Sequence, residues 1–298
     1  MVMITYTLEK PTVTCRNVLG ESPIWDTVRA KLFWVDIDLG LLYEFFPNTL
    51  EVEVHSIGRK VGCIALTKSE RLLLATEFGF AFYQLGDPPP QNFCNVIPPG
   101  SGNMFNDGKI SPNGAFWVGS KGPAGTSRLY SLDQDLCFTT VIDGLSISNG
   151  IGWSQDGCFF YHTDSFDRHI YRYTTVNYAL TRREIFYTPP TGTPDGLTID
   201  SDGNIWTALW DGSRVVQLSP EGEEIAEILL PVSRPTSVSF GGADLRTLFV
   251  TSASVDLSAK ELSAQPYAGD LFSIRLPLSG LPENRFNLTQ LISSKLTC

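Results

Sequence analysis

Apolar and polar positions alternate along this chain in short bursts, and the three-to-four rhythm of an amphipathic helix is nearly absent. One unit recurs: a polar turn, then a short stretch carrying an aromatic or large apolar residue. Its six copies centre on Trp34, Leu74, Trp117, Tyr161, Trp206 and Phe249. Their spacing is roughly 40–45 residues, the length of a four-stranded propeller blade. A single blade cannot bury both faces, whereas radial packing gives each face a neighbour and leaves only short edges. Alternating segments follow several copies, at 128–132, 169–173, 214–218 and 270–274, as outer strands require. The prediction is an all-β, six-bladed β-propeller formed by residues 1–298 as one domain.

Other stretches fit within this period. The prolines at 88–90 and 189–190 are read as inter-strand loops, and 254–268 as a polar insertion in the last blade. Residues 221–228 suit a strand as well as a helical turn. A strand near Ile4–Leu8 is expected to close the ring against the last blade. The stretch after Arg285 fits no blade and is expected to fold over one face.

Composition supports this picture. Of 298 residues, 42% are hydrophobic and 11% aromatic, enough for a large core with aromatic-rich strands. The formal net charge is −10 and no basic patch or stripe occurs, which argues against a nucleic-acid surface. No apolar run approaches the ~20 residues needed to span a bilayer. The first ten residues lack the features of a secretory leader. The six cysteines are scattered without a CxxC pair and are read as buried free thiols in a reducing compartment. The expectation is a cytoplasmic protein, monomeric or a weak homodimer.

The common catalytic signatures (GxSxG, HExxH, Walker A, GxGxxG) are missing, and the histidines are His55, His162 and His169. Asp200-Ser-Asp-Gly-Asn looks briefly like a calcium loop. An EF-hand needs glycine at the sixth position, where Ile205 stands, so the stretch is read as a blade hairpin.

A different set shares one phase of the repeat. Glu21, Asn106 with Asp107, Asn149 and Asp195 each stand shortly before the polar turn of a blade. Taken singly, Asn-Gly and Asp-Gly are ordinary turn dipeptides. Sharing a phase across four blades, they belong to the innermost strands, which line the channel. Carboxylates and carboxamides around one point make an all-oxygen site for a hard cation.

Here the residues carry a resemblance. Gly20-Glu-Ser-Pro-Ile-Trp, Leu32-Phe-Trp-Val-Asp-Ile, Phe105-Asn-Asp-Gly-Lys, Ile147-Ser-Asn-Gly, Pro194-Asp-Gly and Phe240-Gly-Gly, in this order, resemble the SMP-30/gluconolactonase/regucalcin family, and the bacterial sugar lactonases within it. The resemblance implies a six-bladed propeller with one divalent metal in its channel. It implies Glu21, Asn149 and Asp195 as metal ligands, Asn106 as a substrate-binding or supporting group, and Asp107 as its neighbour. Ca²⁺ is the first expectation, with Mg²⁺, Mn²⁺, Zn²⁺ and Fe²⁺ also compatible. Two departures stand out. Met104 occupies the place of the family's substrate-binding arginine, and the short stretch after Gly119 offers no counterpart to the glutamate of animal members.

The expected reaction is metal-assisted hydrolysis of a sugar lactone to its aldonic acid, with Asp195 orienting or deprotonating water. Asn106, Met104, Asp107 and His162 are the substrate-binding candidates, and Arg59, Lys60 and Lys121 are further sources of polar recognition. The alternatives are another calcium-dependent ester or phosphotriester hydrolase on the same scaffold, and a non-enzymatic calcium-binding protein.

Overall fold

The computed structural model describes residues 3–288. Six sheets follow one another in the chain order of the repeats. Their innermost strands are Gly20–Asp26, Val61–Leu66, Met104–Ile110, Ser148–Trp153, Thr193–Ile199 and Pro235–Gly241. Each pairs antiparallel with the next strand, and that second strand carries the repeat's large residue. The predicted six-bladed propeller is the observed architecture.

The core lies between blades. Trp117 packs with Trp153 and Tyr171 between the third and fourth blades, and Tyr161 with Leu197 and Val216 between the fourth and fifth. Trp206 meets Val238 and Phe240, and Phe249 meets Trp25 and Trp34 where the ring closes. Trp34 and Leu74 face the preceding blade instead, Leu74 lying with Ile24 and Phe33. Side chains alternate across a strand, so an offset of one residue switches the face.

Ring closure differs from the expectation. Ile4–Thr7 pairs parallel with Glu224–Leu229, as a fifth strand on the outer edge of the fifth blade. The last blade has three strands of its own. Its outermost, Phe272–Arg275, is preceded by Leu271, which bridges antiparallel to Val13. Val13 thus does the closing, and within 221–228 the strand option holds from Glu224 onward, after a turn. The 254–268 insertion contains a short helix, Ala259–Ala264, begun by a reciprocal Ser258–Glu261 capping box.

The chain after Arg275 straps the face where the inner strands end. Ser201 N donates to Ser279 O at 2.8 Å, Lys109 pairs with Glu283 at 3.0 Å, and Asn284 Nδ2 donates to Ile110 O. Phe286 is buried with Phe80 and Phe116, and Arg285 reaches Asp26. The strap starts earlier than Arg285 and anchors on several blades. It leaves a narrow axial cavity of about 20 Å³, lined on successive blades by Ser22, Ile64, Asp107, Ile151, Leu197 and Ser237.

No helix among the described residues is long and apolar enough to cross a membrane. Cys15, Cys63, Cys94, Cys137 and Cys158 are unpaired thiols, but of these Cys63 alone is buried, while Cys137 and Cys158 are exposed on the blade turns; Cys298 lies outside the described residues.

Candidate active site in the channel

The site is built by irregularities at one height of the channel. Every inner strand shifts register against its partner near its start: between Glu21 and Ile24, Val61 and Cys63, Phe105 and Gly108, Ser148 and Ile151, Pro194 and Leu197, and Pro235 and Val238. A bulge inserts residues that lack a cross-strand partner and re-aims their side chains. Asn106, Asp107, Asn149 and Asp195 all lie within such shifts, and Glu21 opens one. Ser22, just after Glu21, sits in the left-handed region at φ 52°, unusual for a non-glycine residue. Its hydroxyl accepts from Ile64 N at 3.0 Å, tying the first blade to the second.

The glycines following the site residues are not turn glycines. Gly108, Gly150 and Gly196 sit where a side chain would strike the neighbouring inner strand. A Cβ on Gly150 would lie 2.6 Å from Asp195 O, and one on Gly196 would lie 2.1 Å from Ser237 Oγ. The Asn-Gly and Asp-Gly pairs therefore join a polar side chain to the close approach of the next blade. The turn reading fails at these positions and holds at the hairpins, such as Gly203 with φ 84°.

Hydrogen bonds orient the two amides. Asn106 Nδ2 donates to Ser148 O at 2.9 Å and to Asn149 Oδ1 at 2.8 Å. Asn149 Nδ2 donates to Ser165 Oγ at 2.8 Å, and Ser165 Oγ donates to Pro194 O at 2.7 Å. The chain Asn106–Asn149–Ser165–Pro194 crosses three blades and ends beside Asp195. Ser165 is a positioning residue that the sequence did not mark. Asp36 and Asp164 are two more. Asp36 accepts from Val18 N and Leu19 N, and Asp164 from Ser146 N and Ile147 N, holding the loops that lead to Glu21 and Asn149. The only sequence signal for them is an aspartate closing a second strand, in Trp34-Val-Asp and His162-Thr-Asp.

The carboxylates are left charged-poor. Glu21, Asn106, Asn149 and Asp195 are at most 5% exposed. Glu21 accepts from Ser22 N at 3.0 Å, while Asp195 Oδ1 is buried with no hydrogen-bond partner among the described residues. Burial, with Asp107 nearby, pushes the Glu21 carboxyl up to about 8. Burial raises Asp107 to about 6. Burial, then Glu21 and Asp107, holds Asp195 well above the carboxylate range. An orphaned carboxylate oxygen among repelling acids, beside an oriented amide oxygen, fits a divalent cation.

The other candidates divide. Lys121 lies within electrostatic reach of Glu21, Asp38 and Asp195. Lys60 is paired with Asp38, and Arg59 is half-buried and makes no hydrogen bond to a site residue. His162 is placed in packing and not in the channel: it is fully buried, stacks on Phe160 and shares a 2.7 Å hydrogen bond with Ser148 Oγ. Burial lowers it to about 3, so it is neutral. A second acidic group, Glu44, Glu53 and His55, lies on the outer strands of the first blade, where Lys31 already holds Glu44 at 2.6 Å.

The sequence profile of the SMP-30/Gluconolactonase/LRE-like region matches residues 19–254, which include every residue of the site. The chain belongs to the SMP-30/gluconolactonase/LRE-like family. It is 34% identical over 282 residues to a 6-deoxy-6-sulfogluconolactonase of Pseudomonas putida, covering 91% of this chain and 95% of that protein. The same figures relate it to the pentonolactonase XacC of Haloferax volcanii. Among solved structures, this family member superposes on the calcium-binding protein regucalcin of Agrobacterium tumefaciens with a TM-score of 0.91. That pair is 25% identical, covering 96% of this chain and all of the other.

Proposed function

We propose that the protein hydrolyses a sugar lactone to its aldonic acid, using a divalent cation held by Glu21, Asn149 and Asp195. The observation that carries this reading is Asp195 Oδ1, buried and unpartnered at the focus of three blades. The family supports the reaction class, and the all-oxygen donor set favours Ca²⁺ among the candidate ions. When bound, the cation supplies Lewis-acid polarisation of the lactone carbonyl.

The chain's own groups do the rest. Asp195 accepts a proton from the water that attacks the carbonyl carbon. The bond from that carbon to the ring oxygen breaks, and Asp195 returns the proton to the departing oxygen. The products are an alcohol and a carboxylic acid, which releases a proton to solvent. Asn106 has both amide hydrogens engaged on Ser148 and Asn149, so its Oδ1 is left to accept from a sugar hydroxyl. Asp107, held by Gly108 N at 2.7 Å, is a second acceptor for hydroxyls. Met104 lies at the mouth as an apolar contact. His162 supports Ser148 and does not touch substrate.

The test is acid release by metal-stripped protein on a panel of aldonolactones, with Ca²⁺, Mg²⁺, Mn²⁺, Zn²⁺ and Fe²⁺ added back singly. Metal-dependent release above the spontaneous rate is expected. Folded, metal-binding protein that releases no acid from any lactone would redirect the reading to other ester or phosphotriester substrates.

A further inference from the structure

Lys121 is a charged group that the mechanism above does not use. It closes the second strand of the third blade, Phe116–Lys121, and its Cα partner across the ladder is Met104, the first residue of that blade's inner strand. Directly opposed residues on antiparallel strands project to the same face. Lys121 also bridges to Ile147, immediately before the inner strand that carries Asn149. It therefore stands at the junction of the strands bearing Asn106 and Asn149, on the face shared with Met104.

The ammonium makes no hydrogen bond or ion pair with a described residue. Its electrostatic neighbours are Glu21, Asp38, Asp195 and Lys60. Lys60 is engaged by Asp38, whereas Lys121 has no hydrogen-bond or ion-pair partner among the described residues. Met104, opposite, can offer only apolar contact.

We propose that Lys121 is the substrate-reading cation of this site, donating hydrogen bonds to oxygen substituents of the lactone. The resemblance implies a substrate-binding arginine at position 104; here the cation stands one rung across the ladder, at position 121. The inference rests on the lactonase reading and deepens it. As a contact to ring substituents, Lys121 contributes to binding in the ground state and transition state alike. Its removal therefore acts on KM more than on kcat.

The experiment measures steady-state kinetics of Lys121→Met, Lys121→Arg and the double variant Met104→Arg/Lys121→Met. The probe is the aldonolactone that the calcium-loaded wild type turns over fastest, and Ca²⁺ affinity is measured by calorimetry in each. Lys121→Met is expected to raise KM about ten- to a hundredfold, the usual weight of a charge-assisted hydrogen bond. Its kcat should stay within about threefold of wild type. Its Ca²⁺ affinity should hold or tighten, because a positive neighbour of Glu21 and Asp195 is gone. Lys121→Arg should keep most of the binding. The double variant, with the cation returned to position 104, should recover part of it, which a merely structural lysine would not allow. An unchanged KM in Lys121→Met, or weakened Ca²⁺ binding, overturns the assignment. A wild type inactive on every lactone overturns the lactonase reading instead. Calorimetric titration with gluconate then decides Lys121 separately: equal gluconate affinity in wild type and Lys121→Met overturns it, and weaker binding in the variant upholds it.

Discussion

Of two aspartates on the fifth blade, Asp195 lies within the inner strand Thr193–Ile199 and Asp200 directly follows it, and both are buried, at 4% and 0% exposure. Asp200 is surrounded by donors. It accepts from Asp202 N at 3.0 Å, Asn204 N at 2.9 Å, Trp206 Nε1 at 2.9 Å and Gln217 Nε2 at 2.9 Å. Asp195 has an oxygen with no hydrogen-bond partner among the described residues. One carboxylate is satisfied by the fold and stabilises it. The other is left unsatisfied, an arrangement that persists where a ligand completes the site. Burial does not distinguish these two aspartates; the supply of donors does.

The comparison breaks most sharply under substitution of the acids themselves. Asp195→Asn should lower turnover by about a thousandfold or more, since it removes both the proton acceptor and a charged ligand. Its metal-free melting temperature should hold or rise, because a repelling carboxylate is gone. Asp200→Ala should do the reverse. Stranding the indole, the amide and two backbone donors should cost about 3 kcal/mol in urea unfolding, while Ca²⁺ affinity survives.

The glycines of the same blade sharpen the contrast. Gly196→Ala drives a methyl group into Ser237 and should cost about 1–3 kcal/mol. Gly203 faces open space, so Gly203→Ala should cost about 1 kcal/mol from backbone conformation alone, and Gly203→Asn less. Chemical unfolding of the three variants separates steric from conformational demand.

The smallest effect is in pH. Glu21 is raised from an ordinary 4.5 to about 8, so its protonated form is favoured in the metal-free fold. That contribution is complete below about pH 4.5 and is lost as pH rises through 8. Asp107, raised to about 6, adds a loss over a lower window. Metal-free protein should therefore melt at falling temperatures between about pH 5 and 8. The gain in melting temperature on adding Ca²⁺ should widen over the same range.

Much of this was legible beforehand. The spacing of Trp117, Tyr161, Trp206 and Phe249 announces blades because large side chains must fill each interface once per repeat. The common phase of Glu21, Asn149 and Asp195 points to the inner strands, and the structure gathers them in the channel. The bulges were not legible, since an Asn-Gly pair in a bulge and one in a hairpin are the same letters. Their difference lies in the neighbouring blade, about 45 residues away. The Asn149–Ser165–Pro194 connection is equally non-local. Ile4–Thr7 was assigned to the wrong partner because its alternation suits any exposed sheet edge, whereas the stretch that meets the last blade lies further on, with Val13 on Leu271 and Leu19 on Ala253. His162 shows the limit of residue type: an imidazole one strand from the channel is turned into packing by strand alternation.

The most direct test is acid release by calcium-loaded Asp195→Asn beside wild type, on the lactone the wild type prefers, with folding checked by circular dichroism. The account predicts a folded variant with turnover reduced to near the spontaneous rate. A folded Asp195→Asn that turns over lactone as wild type does would contradict it.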